Sequence, residues 1–572
     1  MRTILGLVLS LALLVAACTS EAAESTTTEV TSTQPESTTS TESPETTTST
    51  IPPDGYGGEV VIGVQAPPTG LNPFSRGLWG ETIPGNAVWA RTFHRDPETW
   101  EMVPHVVTDL PSRTGAIEIG DDGTMTVTYE IVADAVWSDG VSITGDDLAW
   151  TALAMRDLAL SGALGPSSVL SEIVGADSVG RLAFITFERP NLAFESELWI
   201  VLPSHVLEGV DLLEETDGLD WPSGGPFVLE EAEPGRSITF VRNESYWETD
   251  ESGGSLPYLD RLIVRASGSA EPWDLEALVD AFLAGDLDVV DLPRFMPAID
   301  RVRAAEGDGA VVRNAASTIV EHVTFQFGDG RFESNELSSN EDIRLRRAIA
   351  SAVDREALIE AAQVPWVPVY GLSSPGSDAW PEGDQTAASG LVDELTDELE
   401  RSPATVLSTT GNADERPAIA QALDAQLGAI GIDYGSELLD SVLFFGEVFD
   451  QGTYDLGMWA WSVEDPMGWL RVLDPAEAPP DGDFGRWSEL GSEAGDRFTE
   501  IRLAAESTVS RDELETLIAE AEAILVEELP LIPLFSRAAY SAHWIDGVSG
   551  VAPNGTSSEL TWNIAHWQKP GE

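Results

Sequence analysis

Extended and helical patterns alternate along most of this chain, and the alternation narrows the folds it can adopt more than any other feature. Residues 124–131 carry apolar side chains at every second position, which is the period of a half-buried strand. The Thr-Gly-Asp-Asp sequence at residues 144–147 resembles a capping box and predicts a helix that runs to about residue 159. Strand and helix signals that follow one another in this way predict an α/β fold.

A further strand is predicted at residues 59–64, and apolar residues at helical spacing predict three further helices. Each of these helices has a capping or stopping residue beside it. They are a helix that begins near Ser339 and Asp342, a helix over residues 416–430 that Gly431 ends, and a helix that begins at Ser510 with Glu513 three residues later. No internal repeat is visible among these elements.

The charge of the chain is strongly negative, with 98 acidic residues against 30 basic ones and a formal net charge of −68. A nucleic-acid backbone would be repelled by such a surface, so nucleic acid is not an expected partner. Two explanations of the charge stay open: a solvated acidic surface suited to a salty medium, and an acidic field that attracts cationic solutes. Composition alone does not separate them.

Residues 1–18 predict export and a lipid anchor. The apolar run at residues 4–14 is shorter than the roughly 20 residues of a spanning helix and suits a signal peptide. It leads into Val-Ala-Ala-Cys at residues 15–18, which resembles a bacterial lipobox and predicts a lipidated thiol on Cys18. The alternative is an ordinary secretory signal with a cysteine there by chance. Cys18 is the only cysteine, which rules out an internal disulfide and a metal site with several cysteine ligands.

Residues 19–56 consist mostly of Thr, Ser, Glu and Pro and predict a disordered tether. The segment has no apolar face whose burial could offset the entropy lost on ordering. A lipidated Cys18 would therefore hold a folded body, beginning near Gly57, beside the outer face of the cytoplasmic membrane. No second apolar stretch reaches 18 residues, so no membrane-spanning helix is predicted.

Several short motifs follow one another between residues 58 and 550. They are Trp-Ser-Asp-Gly at 137–140, Gly-Pro-Phe at 225–227, Arg-Asn-Glu-Ser-Tyr-Trp at 242–247, Leu-Pro-Tyr-Leu-Asp at 256–260, Gly-Asp-Leu-Asp at 285–288, Asp-Ile-Arg-Leu-Arg-Arg-Ala-Ile at 342–349, Tyr-Asp-Leu at 454–456 and Leu-Pro-Leu-Ile-Pro-Leu at 529–534. Together they resemble the family 5 extracellular solute-binding proteins, the receptors of ABC importers for peptides, nickel and oligosaccharides. Most of these motifs are expected to stabilise the fold rather than contact a solute.

The resemblance implies an α/β fold of the periplasmic-binding-protein type II, with two lobes, a cleft and an extra subdomain in the N-terminal lobe. Lobe one would comprise residues 57–320 and 535–572, with the inserted subdomain at 90–205, and lobe two would comprise residues 325–534. A small-molecule solute would bind in the cleft and favour the closed state, because it binds that state more tightly than the open one.

The closed receptor, a monomer, would then dock on an ABC permease, whose ATPases supply the energy. This chain itself lacks the Gly-x-x-x-x-Gly-Lys-Ser/Thr loop that cradles the phosphates of ATP. The resemblance therefore implies a receptor that captures a solute outside the cell, held at the membrane by the lipid on Cys18.

Residues 458–466 (Met-Trp-Ala-Trp-Ser-Val-Glu-Asp-Pro) resemble the ligand-facing segment of the family, Gly-Trp-x-x-Asp-x-x-x-Pro. In the family's peptide receptors, the Asp of this segment pairs with the α-ammonium of the peptide, and Ser462 stands in its place here. A hydroxyl cannot supply the charge-assisted hydrogen bond of a carboxylate, although Glu464 or Asp465 could supply it from nearby. An oligopeptide and an oligosaccharide therefore stay open as alternative ligands.

Three tryptophans complete the predicted ligand-binding residues. The rings of Trp459 and Trp461 could stack on a sugar or on an aromatic group, or one or both could pack in the core instead. Trp79 belongs to the loop after residues 71–73, and this loop approaches the cleft in the family.

Other classes of protein have less support from the residues. Nucleophilic catalysis would need a Ser or Cys beside a His, and the six histidines show no such motif, so no catalytic residue and no cofactor is predicted. The histidines also lack the spacing of a protein-only metal site. A glycan-active enzyme with a carboxylate pair, a receptor that reports to a sensor, and a carrier of a chelated metal stay open as alternatives.

Overall fold

The computed structural model describes most of the chain from Tyr56 onward. The described residues are 56–66, 68–74, 82–164, 169–213, 217–267, 274–292, 295–328, 339–363, 366–369, 371–372, 379–380, 383–411, 415–449, 451–462, 466–479 and 482–569. The predictions for the signal peptide, for Cys18 and for the tether up to residue 55 lie outside the described residues, as do those for Trp79, Glu464 and Asp465.

Strands occur along the whole described chain. In chain order they are β1 (Glu59–Gly63), β2 (Ala90–Arg91), β3 (Phe93–Arg95), β4 (Met102–Pro104), β5 (Ile117–Ile119), β6 (Met125–Glu130), β7 (Ile173–Val179), β8 (Leu182–Phe187), β9 (Ile200–Val201), β10 (Phe227–Glu233), β11 (Ser237–Arg242), β12 (Arg261–Arg265), β13 (Val289–Leu292), β14 (Ala310–Ala315), β15 (Ile319–Phe325), β16 (Trp366–Pro368), β17 (Ala404–Thr410), β18 (Asp433–Leu439), β19 (Leu456–Ser462), β20 (Leu531–Arg537) and β21 (Ala539–Trp544).

Helices are interleaved with these strands, which confirms the predicted α/β class. In chain order they are α1 (Thr82–Gly85), α2 (Pro111–Thr114), α3 (Gly145–Leu160), α4 (Phe194–Glu197), α5 (Ser204–Leu207), α6 (Leu275–Leu283), α7 (Met296–Arg303), α8 (Ile343–Ala352), α9 (Arg355–Ala362), α10 (Gln385–Leu399), α11 (Glu415–Ala429), α12 (Ser441–Leu443), α13 (Pro466–Val472), α14 (Glu493–Ser507) and α15 (Arg511–Glu528). Short 3₁₀ segments lie at Val169–Glu172, Glu306–Asp308, Trp487–Leu490 and Ile564–His566, and a π-helical turn lies at Phe444–Phe449.

The largest sheet has seven strands in the order β10-β11-β12-β1-β13-β21-β14. Strand β1 lies between β12 and β13 and runs parallel to both, with Val60 opposite Leu262 and Ile62 opposite Val289. All four side chains are fully buried, so the predicted strand near residue 59 is a core strand. Strand β21 enters from the far end of the chain and pairs antiparallel with β13 and β14.

A second sheet has six strands in the order β16-β20-β15-β19-β17-β18. Strand β17 runs parallel to β18 and β19, whereas β15 is antiparallel to both β19 and β20. Helices α8 and α11 bury Leu345 and Leu423 in the same core as Val323 of β15 and Met458 of β19. The helical stripes seen in the sequence are therefore the faces that cover this sheet.

A smaller sheet of four strands, in the order β5-β6-β8-β7, packs against helix α3 within residues 117–187. Buried and half-buried residues alternate along β6, as the sequence predicted. Helix α3 begins after Thr144, whose backbone N–H donates to Asp147 Oδ2 at 3.0 Å. Asp147 is buried and also accepts from the Trp137 indole at 3.4 Å, which ties the Trp-Ser-Asp-Gly turn to the start of the helix.

The chain passes from the seven-stranded sheet to the six-stranded sheet between β14 and β15 and returns between β20 and β21. The two crossing segments are bonded to each other. Ser317 N donates to Ser536 Oγ at 2.8 Å, and the Ser536 hydroxyl donates to Ser317 O at 2.5 Å. Both serines are buried, so these bonds hold the crossings side by side away from water.

Two of the three later helices begin or end as predicted, and one begins later than predicted. Ser510 caps α15 by accepting from Glu513 N at 3.3 Å, and Gly431, at a φ of +92°, follows the end of α11. Helix α8 begins at Ile343 because Asp342 is its N-cap, accepting from Arg344 N at 2.9 Å. The prediction that Ser339 begins this helix was therefore wrong by about one turn.

Candidate functional site

A small pocket, with about 20 Å³ of free space, lies where the chain crosses between the two large sheets. Its walls come from the β3–β4 turn, from the first crossing segment, from strands β15, β16 and β20, and from helix α13. The lining residues are Trp100, Ala316, Val320, Val367, Pro368, Val369, Gly371, Leu372, Trp469 and Ser536. Most of these side chains are apolar, and two of them are tryptophans from opposite sides of the crossing.

Trp100 is held in an unusual conformation at this pocket. Its φ is +63°, in the left-handed region that bulky side chains rarely adopt. Two hydrogen bonds hold the turn, from Arg95 Nη1 to Trp100 O at 2.6 Å and from Trp100 N to Asp96 O at 2.9 Å. The Trp100 Nε1–H is buried and has no partner among the described residues.

His322 packs behind the Trp469 wall of the pocket. Its ring makes edge contacts with the rings of Trp459 and Trp469, at centroid distances of 5.0 and 5.8 Å. Its Nδ1 lies 3.2 Å from Val320 O, and its Nε2 has no partner within the described part of the chain. Burial lowers the pKa of His322 to about 4, so the imidazole is neutral at physiological pH.

Glu321, the neighbour of His322 on the opposite face of β15, carries a buried charge. Its Oε1 accepts from Arg416 Nη2 of α11 and from Arg537 Nε of β20, each at 2.9 Å. Burial alone would raise the pKa of this carboxyl, but the charges of Arg416 and Arg537 outweigh it and hold the pKa below its ordinary value. The carboxylate thus ties both crossing strands to helix α11.

The structure places Trp459 in the core. Its side chain is 1% exposed and packs among Phe444, Phe449 and Tyr454, with centroid distances of 6.2, 5.0 and 5.8 Å. In this arrangement the ring has no free face on which a solute could stack. Of the two alternatives drawn from the sequence for this residue, core packing is the one that describes its position.

Trp461 and Ser462 lie at the end of β19, and only Trp461 shares a face of the sheet with the pocket lining. Trp461 is partly exposed and stands opposite Val320, which lines the pocket, so the two side chains share one face of the sheet. Its ring packs against Phe484 at 5.2 Å. Ser462 is also partly exposed and stands opposite Ile319 at the start of β15. Contact of these two residues with a solute stays a prediction.

Several residues of this site were missed by the sequence reasoning, chiefly Trp100, Val320, Trp469 and Ser536. Trp100 sits in a short turn without a motif, and its left-handed backbone has no signal in the sequence. Trp469 follows the ligand-facing segment by three residues on α13 and could have been found by extending that segment into the helix that Pro466 begins.

The described residues contain no cluster of three or more His, Cys, Asp or Glu side chains arranged to hold a metal ion. Within the same described ranges, no helix combines the length and apolarity needed to cross a membrane. The walls of the pocket at the crossing are aromatic and aliphatic, with a few polar groups.

The architecture is that of a type II periplasmic-binding protein, with two lobes, a cleft and an extra subdomain in the N-terminal lobe, as predicted. The solved structure of a periplasmic EDTA-binding protein, EppA, superposes with a TM-score of 0.67 over 91% of this chain and 98% of that chain, at 20% identity. The seven-stranded sheet forms the core of the first lobe and the six-stranded sheet that of the second.

The model of the bacterial extracellular solute-binding proteins, family 5, matches residues 101–473, so this chain belongs to that family. It is similar to the oligopeptide-binding protein OppA of Mycobacterium tuberculosis, with 25% identity over 456 residues, 72% of this chain and 68% of the relative. It is also similar to OppA of Bacillus subtilis, with 21% identity over 543 residues, 86% of this chain and 90% of the relative. The predicted family is therefore confirmed, and the chain is a solute-binding protein.

Proposed function

We propose that this protein captures an oligopeptide between its two lobes outside the cell and delivers it to the permease of an ABC importer. The observation that carries the proposal is the pocket at the crossing, to which both lobes contribute walls. The free space in this pocket is only about 20 Å³, so a peptide would occupy it together with the rest of the cleft.

Closure around the peptide follows from contacts with both lobes. Trp100 would contact the peptide from lobe one and Trp469 from lobe two, so the closed state gains contacts that the open state lacks. The indole N–H of Trp100 is buried without a partner among the described residues, so it would have to become accessible before it could donate to a peptide carbonyl. The bonded pair Ser317 and Ser536 lies at the crossing about which the lobes would move.

An oligopeptide is favoured over an oligosaccharide because the two OppA relatives, which match 72% and 86% of the chain, are named oligopeptide-binding proteins. Trp461 and Ser462 are the proposed contacts at the end of β19. We assign the capture of the α-ammonium to Glu464 or Asp465, because the hydroxyl of Ser462 carries no charge. Trp79 is kept as a proposed contact from the first lobe.

Lobe one would comprise residues 57–320 and 535–572 with the subdomain at 90–205, and lobe two residues 325–534. A lipid anchor on Cys18 and the tether at 19–56 would hold a monomer at the outer face of the cytoplasmic membrane. The protein would act without catalysis and release its peptide unchanged to the permease and its ATPases.

Calorimetry with variants of Trp100 tests this proposal. The full chain is titrated with a synthetic mixture of random pentapeptides and, separately, with a mixture of short oligosaccharides. We expect micromolar or tighter binding of the pentapeptides alone, weakened by Trp100→Ala more than by Trp100→Phe, which keeps an aromatic ring. The control is Trp544→Phe, which alters a tryptophan stacked on Phe282 in the first lobe. Binding of oligosaccharides alone, or equal affinity of the Trp100→Ala variant and the wild type, would overturn the proposal.

A further inference from the structure

A polar contact outside the pocket joins helix α15 of the second lobe to the subdomain of the first lobe. Arg511 Nη2, at the first residue of α15, donates to Ser112 Oγ at 2.8 Å and to Glu195 Oε2 at 3.2 Å. Ser112 belongs to α2 and Glu195 to α4, both within the subdomain. The three side chains therefore bridge two parts of the molecule that only the crossing strands connect covalently.

Ser112 and Glu195, which accept the hydrogen bonds of Arg511, are held in position by hydrogen bonds to each other. Ser112 donates to Glu195 twice, from its backbone N at 2.6 Å and from its hydroxyl at 2.7 Å, which fixes the carboxylate before Arg511 approaches. The side chain of Glu195 is only 3% exposed, and burial raises the pKa of this carboxyl. Removal of the Arg511 guanidinium would leave this buried carboxylate without its charged partner, which is strongly unfavourable for a buried charge.

The presence of Arg511 at the start of α15 is explained by its contact with the subdomain and not by an effect on its own helix. Arg511 places a positive charge on the first turn of α15, where the helix dipole disfavours cations. An arginine at this position does not stabilise helix α15 itself, but it does stabilise the contact with the subdomain. Val509, two residues earlier, packs against the apolar core of the subdomain and adds an apolar contact to the polar one.

The bridge is bonded to the segment that follows Trp100, which lines the pocket. Arg113, next to Ser112, donates to Met102 O at 2.7 Å, and Met102 follows Trp100 of the pocket by two residues. Helix α15 is fixed to the second lobe by packing Ile518, Ala521 and Leu525 into it. Rotation of the lobes away from each other at the crossing would therefore open the pocket and separate Arg511 from Glu195.

We infer that Arg511, Ser112 and Glu195 form a latch that favours the closed arrangement of the lobes before a solute binds. The inference rests on the proposed function for its consequence, because a larger closed fraction raises the apparent affinity for the solute in proportion. None of the three residues lines the pocket, so they position the lobes and do not contact the peptide.

The latch is tested first without ligand, by the distance between spin labels on the two lobes. Labels are attached at Leu160→Cys, on the exposed end of α3 in the subdomain, and at Leu503→Cys, exposed on α14, in a full chain that carries Cys18→Ser. We expect Arg511→Ala and Glu195→Gln to shift the distance distribution to longer values, and Arg511→Lys to shift it less. The matched control Arg497→Ala, which removes an arginine paired with Glu500 and Glu520 inside the second lobe, leaves the distribution unchanged.

The affinity for the random pentapeptide mixture is then measured on the same variants. A tenfold loss of the closed fraction predicts a Kd about tenfold higher for Arg511→Ala. An unchanged distance distribution in both Arg511→Ala and Glu195→Gln would overturn the latch, whatever the affinity. A shifted distribution without any peptide binding by the wild type would support the latch and overturn the proposed peptide ligand, so the two failures are distinguishable.

Discussion

Glu321 is the residue on which the geometry of the crossing depends most. One carboxylate on β15 accepts hydrogen bonds from Arg416 of α11 and Arg537 of β20, and it has no exposed surface. Taking such charges out of water is costly, and their mutual attraction offsets that cost only while all the partners are present. The arrangement therefore fixes the relative position of three elements beside the site.

Glu321→Gln is expected to lower the free energy of unfolding by about 3 kcal/mol or more, because it leaves two guanidinium groups without their buried counter-charge. Urea denaturation of the two proteins measures the difference. The matched control is Glu233→Gln, which breaks an exposed pair with Arg236 and is expected to cost less than about 1 kcal/mol. Equal costs for the two substitutions would contradict the structural role given to Glu321.

His322 makes a contribution to stability that depends on pH. Burial lowers its pKa from 6.5 to about 4 in the folded state, so the unfolded chain takes up a proton at higher pH than the folded one. The contribution of the neutral imidazole is therefore complete above about pH 6.5 and is lost as the pH falls through about 4.

The loss attributable to His322 amounts to about 3 kcal/mol between pH 7 and 4. We expect His322→Gln to reduce the fall in unfolding free energy over this range by that amount, in urea titrations at several pH values. If the unfolding free energy of His322→Gln fell between pH 7 and 4 by as much as that of the wild type, the burial of a neutral imidazole would be contradicted.

At the scale of elements, strand β19 combines two roles along its length. Trp459 faces a closed aromatic cluster, whereas Trp461, two residues later on the same face, remains partly exposed beside the pocket. The difference arises because Phe444 and Phe449, from the π-helical turn, cover the earlier ring. On this face of β19, Trp459 therefore packs in the core, and Trp461, nearer the end of the strand, lies at the candidate site.

The two tryptophans should respond differently to replacement by alanine. Trp459→Ala is expected to cost about 3–5 kcal/mol of stability, because it leaves a cavity in a closed cluster. Trp461→Ala is expected to cost about 1–2 kcal/mol and to weaken pentapeptide binding by about fivefold through the lost aromatic contact. Thermal unfolding and calorimetry of both variants make the comparison. A Trp461→Ala variant with unchanged affinity would remove Trp461 from the proposed contacts.

At the scale of the whole molecule, the sequence predicted the fold through local signals that the structure explains. Trp137 and Asp147 are buried hydrogen-bond partners ten residues apart, and Ser510 caps its own helix. Such local patterns can be recognised within a single segment of the sequence. The pocket could not be predicted in this way. Its walls come from residues between Trp100 and Ser536, and only the crossing of the chain between two sheets brings them together.

For some single residues, one property could be predicted from the sequence and another could not. The end of β19 was predicted to be ligand-facing and lies beside the pocket, yet the burial of Trp459 depended on a π-helical turn without a sequence signature. The left-handed backbone of Trp100 and the contact between Arg511 and Glu195 likewise depend on tertiary structure.

Native mass spectrometry of the full chain, purified from the cells that make it, would identify the solute that the protein carries. We expect the protein to retain one oligopeptide per monomer, to release that peptide intact when it unfolds, and to retain less of it in the Trp100→Ala variant. Recovery of an oligosaccharide in place of a peptide, or of cleaved products of an added glycan, would contradict the claim that this protein is a peptide receptor.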